Sequence, residues 1–186
     1  YGFDRGLYYS IFYSISAFNN AGFSLFNNSL INFQGHYLIC LTISTLYTLG
    51  GIGFLVLIDV KQNKRWNKLT PNSKLILSAI ATLNIVAFIL IWLLEANNPL
   101  TLGSMNIGEQ AMNAWFQATV PRSSGFNTID TGSMEHSTTL LTMLLMFIGG
   151  GSLSTAGGIK VGTFVILLLC VISFLRRNEE IRIFNH

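Results

Sequence analysis

Two short stretches of this sequence carry the residue types best suited to chemistry, and they lie 103 residues apart when counted from Gly22 to Gly125. Residues 19–24 read Asn-Asn-Ala-Gly-Phe-Ser, and residues 122–127 read Arg-Ser-Ser-Gly-Phe-Asn. In each, a single glycine follows small polar residues and precedes Phe and a further polar residue. Such a loop offers backbone carbonyls rather than side-chain ligands. Carbonyl oxygens at membrane depth can replace the hydration shell of a monovalent cation. Glycine allows the backbone angles and the close approach that this needs. Asn19, Asn20, Ser123 and Ser124 are suited to steady the loops by hydrogen bonds. Taken singly, each Gly-Phe also fits a helix C-cap or tight turn. Its recurrence at matching places in a repeat favours a pore. Catalytic chemistry has no support: no Ser-His-Asp, Walker, HExxH or CxxC arrangement is present, and His36, His136 and His186 lack metal-ligand spacing.

The elements around these loops read as membrane segments. The chain has 186 residues, 51% hydrophobic and 10% charged, against about 25% charge in ordinary soluble domains. That composition excludes disorder, which needs high charge and low hydrophobicity. The two cysteines, Cys40 and Cys170, sit in apolar runs far apart and are expected to be packing residues rather than a disulfide framework. A formal net charge of +3, concentrated in two short segments, argues against nucleic acid as a partner. The fold class expected is an all-α polytopic membrane protein.

Residues 37–58 form a run of 22 without charge and residues 75–94 a run of 20, each long enough to cross a bilayer. Residues 138–175 form a run of 38 with one charge, Lys160, too long for one straight span and broken by Gly149-Gly150-Gly151 and Gly157-Gly158. Two shorter apolar runs, 7–18 and 109–120, are too short to span and read as re-entrant or buried helices. The order of short helix, Gly-Phe loop and long span occurs twice, each span carrying a glycine cluster. Gly50, Gly51 and Gly53 are expected to bend the first span. Residues 1–60 thus form the later part of one unit, 61–74 a basic loop, and 75–186 a complete second unit. The chain opens without an initiator Met or a cleavable leader and close to an apolar run, and is expected to be part of a longer polypeptide.

Loop charge sets the orientation. Lys61, Lys64, Arg65, Lys68 and Lys74 separate the first two spans without an intervening acid, and Arg176, Arg177 and Arg182 follow the third. By the positive-inside rule, 61–74 and 176–186 are cytoplasmic. The segment 95–137, with Glu95, Glu109, Asp130 and Glu135 against Arg122, then lies outside. The basic loop also fits a patch for acidic partners or lipid head groups.

The runs SAFNNAGFS (16–24), TLGGIGF (48–54), PRSSGFNTID (121–130) and MFIGGGSLSTAGGIKVGTF (146–164) resemble the Trk/Ktr/HKT superfamily of potassium transporters, most closely the bacterial Ktr-type membrane subunit. The resemblance implies span–pore helix–filter loop–span repeats with pseudo-fourfold symmetry in the full chain. This sequence corresponds to the second repeat from its pore helix onward and the whole third repeat. It implies Gly22 and Gly125 as filter glycines, with Asn20, Ala21, Phe23, Ser123, Ser124 and Phe126 flanking them and offering carbonyls to K⁺. It implies a gate at 149–158, formed by Gly149, Gly150, Gly151, Ser152, Ser154, Thr155, Gly157 and Gly158. K⁺ is then the transported ion, with Na⁺ an optional activating or coupled ion. The implied partners are a second copy in a homodimer, a cytosolic nucleotide-binding RCK-type ring and membrane lipids, and the implied location is the bacterial cytoplasmic membrane.

Physical reasoning supports the gate in part. Five glycines in ten residues cannot hold a helix, since each costs about 1 kcal/mol relative to Ala. The hydroxyls of Ser152, Ser154 and Thr155 can satisfy freed backbone groups or face water. A simple kink is the plainer alternative. Lys160 can snorkel, pair with a carboxylate or face a wet vestibule. Arg122 is expected to anchor its loop to an acid or carbonyl, and Asn84 to hydrogen-bond between helices. Two other functions stay open at this point: the potassium-translocating subunit of a P-type ATPase complex, and a non-conducting membrane scaffold.

Overall fold

A computed structural model describes residues 2–122 and 124–176, so Ser123, Arg177 and Arg182 fall outside the described residues. The described chain is all-α: α1 (Phe3–Phe18), α2 (Tyr37–Ile52), α3 (Phe54–Gln62), α4 (Pro71–Glu95), α5 (Ile107–Thr119), α6 (His136–Phe147) and α7 (Val161–Leu175), with short 3₁₀ turns between them. An isolated parallel bridge joins Ile148 and Ile159.

Local sequence explains where the key helices start and stop. α4 begins at Pro71, whose missing N–H costs nothing in the first turn, and the Thr70 hydroxyl accepts from Ser73 N. α5 begins with a reciprocal capping box between Asn106 and Glu109. α1 ends where Ala21 N bonds Ser16 O (2.9 Å) and Asn20 N bonds Ala17 O (3.0 Å), with Asn20 at φ +52°. That is a Schellman ending, with Asn in the left-handed position usually taken by glycine.

The bend expected in the first apolar run and the break expected in the third are both present, and they leave shorter helices than the run lengths suggest. Among the described residues α4 alone is long and apolar enough to cross a membrane as one straight helix; its 25 residues measure about 37 Å. The run 37–58 is two helices bent by 95° at Gly53, which has φ +103°. The run 138–175 is two helices of 12 and 15 residues, about 18 and 22 Å long, separated by 148–160. The bridge between Ile148 and Ile159 is parallel, so the chain leaves this loop in the direction in which it entered.

Three apolar clusters join the helices. Tyr13 and Ala17 of α1, Ile43 and Tyr47 of α2, and Phe116 of α5 share one. Ala87 and Ile91 of α4 pack with Ala114 and Ala118 of α5 and Leu145 of α6. Val56 of α3, Ile76 of α4 and Val161 of α7 form the third. Asn84 is buried, and its Oδ1 has no hydrogen-bond partner among the described residues. Cys40 is buried as expected of a packing residue, whereas Cys170 is exposed on α7.

A carboxylate fastens the end of α4. Glu95 is fully buried and accepts from Asn98 Nδ2 (2.8 Å), Thr101 Oγ1 (2.5 Å) and Glu135 N (2.9 Å), the last at the N-terminus of α6. Glu95→Ala leaves Glu135 N without its acceptor, and leaves Asn98 Nδ2 and Thr101 Oγ1 with only Ser133 O (2.9 Å) and Asn98 O (3.5 Å). It is expected to destabilise the protein by about 2–3 kcal/mol, read as a lowered apparent Tm of the detergent-solubilised full-length protein. An unchanged Tm would show that water replaces the carboxylate.

Candidate functional site

The two Gly-Phe loops meet. Gly22 has φ +71° and Gly125 φ +69°, both in the left-handed region that disfavours a Cβ. A Cβ on Gly22 would lie 2.9 Å from Gly125 Cα and overlap the Ser124 carbonyl oxygen; one on Gly125 would lie 3.2 Å from Gly22 Cα. The backbones therefore face each other with no room for a side chain between them. Nearly equal φ values at positions related by the repeat are a structural counterpart of the sequence repeat.

Each loop is held by the helix before it. Tyr13 OH accepts from Leu25 N (3.0 Å) and Phe26 N (3.3 Å) and shares a hydrogen bond with Ser24 Oγ (2.7 Å). Ser16 Oγ donates to Phe23 O at 3.0 Å, so this carbonyl, expected to face an ion, is engaged by α1. In the second loop Ser124 N donates to Val120 O at 3.1 Å. The loops are also tied to one another: Leu30 N donates to Asn127 O (2.9 Å) and Asn127 N to Ser29 Oγ (3.0 Å). Phe126 is fully buried beside Tyr13, whereas Phe23 is 71% exposed. Ala21 is exposed. α1 and α5 both end at the loops, so their partly negative C-terminal ends lie beside them. Behind the loops, Tyr47 OH of α2 reaches Thr119 Oγ1 and Phe116 O of α5.

The glycine-rich segment packs against the end of α2. Gly151 N donates to Gly51 O (2.8 Å), Thr155 N to Gly50 O (3.3 Å) and Phe54 N to Leu153 O (3.1 Å). Its own two ends are joined by Gly149 N to Ile159 O (2.8 Å) and Val161 N to Gly150 O (2.9 Å). Glycine is required here by close approach: a Cβ on Gly149, Gly150 or Gly151 would overlap the carbonyl oxygen of Gly157, Gly51 or Ile52 respectively. The same packing explains the bend at Gly53, where a Cβ would overlap Ser152 O.

The hydroxyls of this segment divide. Thr155 Oγ1 donates to Phe18 O (3.2 Å) and accepts from Asn20 Nδ2 (2.7 Å). Ser154 Oγ is buried without a partner among the described residues, and Ser152 is half-buried. Gly157 and Gly158 close the loop, with Gly158 at φ +75°. Lys160 Nζ donates to Ala156 O at 2.6 Å, capping the loop's own backbone. Arg122 lines a small cavity with Asn20, Tyr47, Thr119, Gly51 and Gly150, between the loops and the glycine-rich segment. No group of three His, Cys, Asp or Glu side chains gathers among the described residues, so the site offers backbone and small polar groups rather than a carboxylate cage.

The residues that sequence reasoning missed are the supports: Tyr13, Ser16, Ser29, Tyr47 and Thr119. Their aromatic and hydroxyl side chains looked like ordinary helix or loop content, and no spacing marked them. The close packing of 149–151 makes a labelling test. Ser154→Cys in full-length protein is expected to react slowly with a water-soluble maleimide, and at least several-fold faster when Gly151→Ala is added. Equal rates would show that the glycine contacts do not hold the segment shut.

Comparison with known proteins places the chain. A sequence profile of the TrkH family, described as a cation transport protein, matches residues 2–66 and 60–186. The chain is similar to the Ktr system potassium uptake protein B of Bacillus subtilis, 46% identical over 185 residues, covering 100% of this chain and 42% of that protein. It is 40% identical over 186 residues to the protein of the same name from Vibrio alginolyticus, covering 99% and 41%. It is 41% identical over 169 residues to the potassium/sodium uptake protein NtpJ of Enterococcus hirae, covering 91% and 37%. The chain therefore spans about two fifths of the length of these curated relatives. The fold matches the crystal structure of the potassium transporter TrkH from Vibrio parahaemolyticus with a TM-score of 0.77 at 22% identity, over 91% of this chain and 36% of that one. With a family profile matched along its length and an all-α fold shared with a solved member, the chain belongs to the TrkH family of cation transport proteins.

Proposed function

We propose that this chain is part of a potassium uptake protein of the bacterial cytoplasmic membrane, with Gly22 and Gly125 in its selectivity filter and residues 149–158 as its gate. The observation that carries the reading is the meeting of the two glycine loops, backbone to backbone, at φ +71° and +69°. Such a site offers carbonyls of Asn20, Ala21, Gly22 and Ser124 and the second glycine to a dehydrated cation. Ser123, Phe23 and Phe126 flank it, Phe126 as the buried wedge that fixes the second loop. The names of the relatives favour potassium as the substrate and an uptake protein over the subunit of an ATPase complex or a scaffold. A name that pairs potassium with sodium in one relative keeps Na⁺ as a coupled or activating ion.

The remaining architecture follows from the repeat plan. α4 packs on α5 over Ala114 and Ala118. The positions 103 residues earlier, Ile11 and Ile15, are 53% and 59% exposed on α1, the face on which the plan sets a further span. The full pore then needs four such repeats. The basic loop 61–74, with the segment from Arg176 onward, faces the cytoplasm, where a nucleotide-binding RCK-type ring docks on a homodimer.

The test is K⁺ and Rb⁺ uptake by the full-length protein in a potassium-auxotrophic cell. Gly22→Ser and Gly125→Ser each place a side chain at positive φ, at a cost of about 1–2 kcal/mol, and push the loops apart. Each is expected to raise the KM for K⁺ about tenfold or to admit Na⁺; unchanged affinity and selectivity would remove the filter assignment. Deleting part of 150–157 is expected to raise the maximal rate without altering ion preference, and an unchanged rate would remove the gate assignment.

A further inference from the structure

The gate segment and the first filter loop are joined by one side chain. Asn20 is 9% exposed, and its Nδ2 donates both to Tyr47 O (3.2 Å) and to Thr155 Oγ1 (2.7 Å). The Tyr47 carbonyl can only accept, so the amide orientation is fixed by the network. Thr155 must then accept from Asn20, which leaves its own proton for Phe18 O at 3.2 Å. The chain of donors thus runs from the filter loop to the gate and back to the last residue of α1. Gly50 seals the junction: a Cβ there would overlap Phe18 O and lie 3.0 Å from Thr155 Oγ1. Three segments distant in sequence, the ends of α1 and α2 and the middle of 149–158, converge on this point.

We propose that Asn20 and Thr155 are positioning residues that form a latch, holding the gate segment closed against the back of the filter loop, so that the gate opens by breaking this contact. The proposal rests on the reading of 149–158 as a gate and adds what holds it. The residue type supports it. Asn20 occupies the left-handed position that ends α1, at φ +52°, where glycine is the ordinary choice and Asn the side-chain-bearing residue that tolerates it. The corresponding position in the second loop is Ser123, which carries a hydroxyl and no amide. The latch therefore belongs to one repeat, and adds a side-chain contact to the backbone bonds that Gly151 N, Thr155 N and Leu153 O make with the end of α2 and with Phe54.

The experiment measures initial Rb⁺ uptake by the full-length protein in potassium-auxotrophic cells, normalised to membrane-inserted protein, for Thr155→Val, Thr155→Ser, Asn20→Ala and the Asn20→Ala/Thr155→Val double variant. Losing two neutral hydrogen bonds from the closed state is expected to raise the maximal rate about tenfold in Thr155→Val. Thr155→Ser keeps the hydroxyl and is expected to bring the rate back down. The double variant is expected to exceed neither single variant by more than about twofold, because both break one contact. A contact of merely structural value would lower uptake, not raise it. A Thr155→Val rate at or below wild type, or a double variant equal to the product of the singles, overturns the latch. Should Thr155→Val not reach the membrane, Asn20→Ser alone decides by the same rise or its absence. Absence of uptake in the wild type would instead overturn the transport reading itself.

Discussion

The structure depends on one close approach: the backbones of Gly22 and Gly125 face each other with no space for a side chain. Both residues are also held at positive φ, so the constraint is conformational as well as steric. A loop that must expose backbone in an apolar protein needs its polar groups satisfied elsewhere. The surrounding residues meet that need. Tyr13 takes two amide donors of the first loop, Ser16 takes a carbonyl, and Ser29 with Leu30 binds the second loop to the first. The apolar cluster around Phe116, Phe126 and Tyr47 then fixes the two helices that deliver the loops.

The glycine-rich segment obeys the same rule at a second place. It carries few side chains because it lies against the carbonyls at the end of α2, and its amides are used on Gly50 and Gly51. The bend between α2 and α3 and the break between α6 and α7 are one feature seen from two sides. Gly53 turns where Ser152 O sits, and Phe54 N is satisfied by Leu153 O. A straight α2 through Gly53 would leave that carbonyl without its partner and displace the segment from the back of the loops.

Much of this was legible in the sequence, and the failures have identifiable causes. The glycine loops, their repeat and the glycine-rich break were visible because glycine has few substitutes where backbone approaches backbone. The all-α class followed from apolar run lengths. The glycines at 50, 51 and 53 marked the bend in 37–58, but not that it reaches 95°, because hydropathy reports the solvent of a segment and not its direction. Asn20 and Thr155 were each readable as hydrogen-bonding residues, but not as partners, since they lie 135 residues apart and in different units. Phe23 and Phe126 are equivalent by repeat but differ in burial, because Phe126 has Tyr13 to pack on and the described residues give Phe23 no such neighbour. The burial of Asn84, with its Oδ1 unpaired among the described residues, is not readable from one sequence, because polarity alone does not say which neighbours a side chain meets.

The central claim is that the paired glycine backbones are where the ion loses its water. Anomalous scattering from Rb⁺ or Tl⁺ in crystals of the full-length protein tests it most directly. The account predicts ion density on the axis beside Gly22 and Gly125, within coordination distance of the carbonyls of their loops. Density confined to other sites, with the two loops in place and unoccupied, would contradict it.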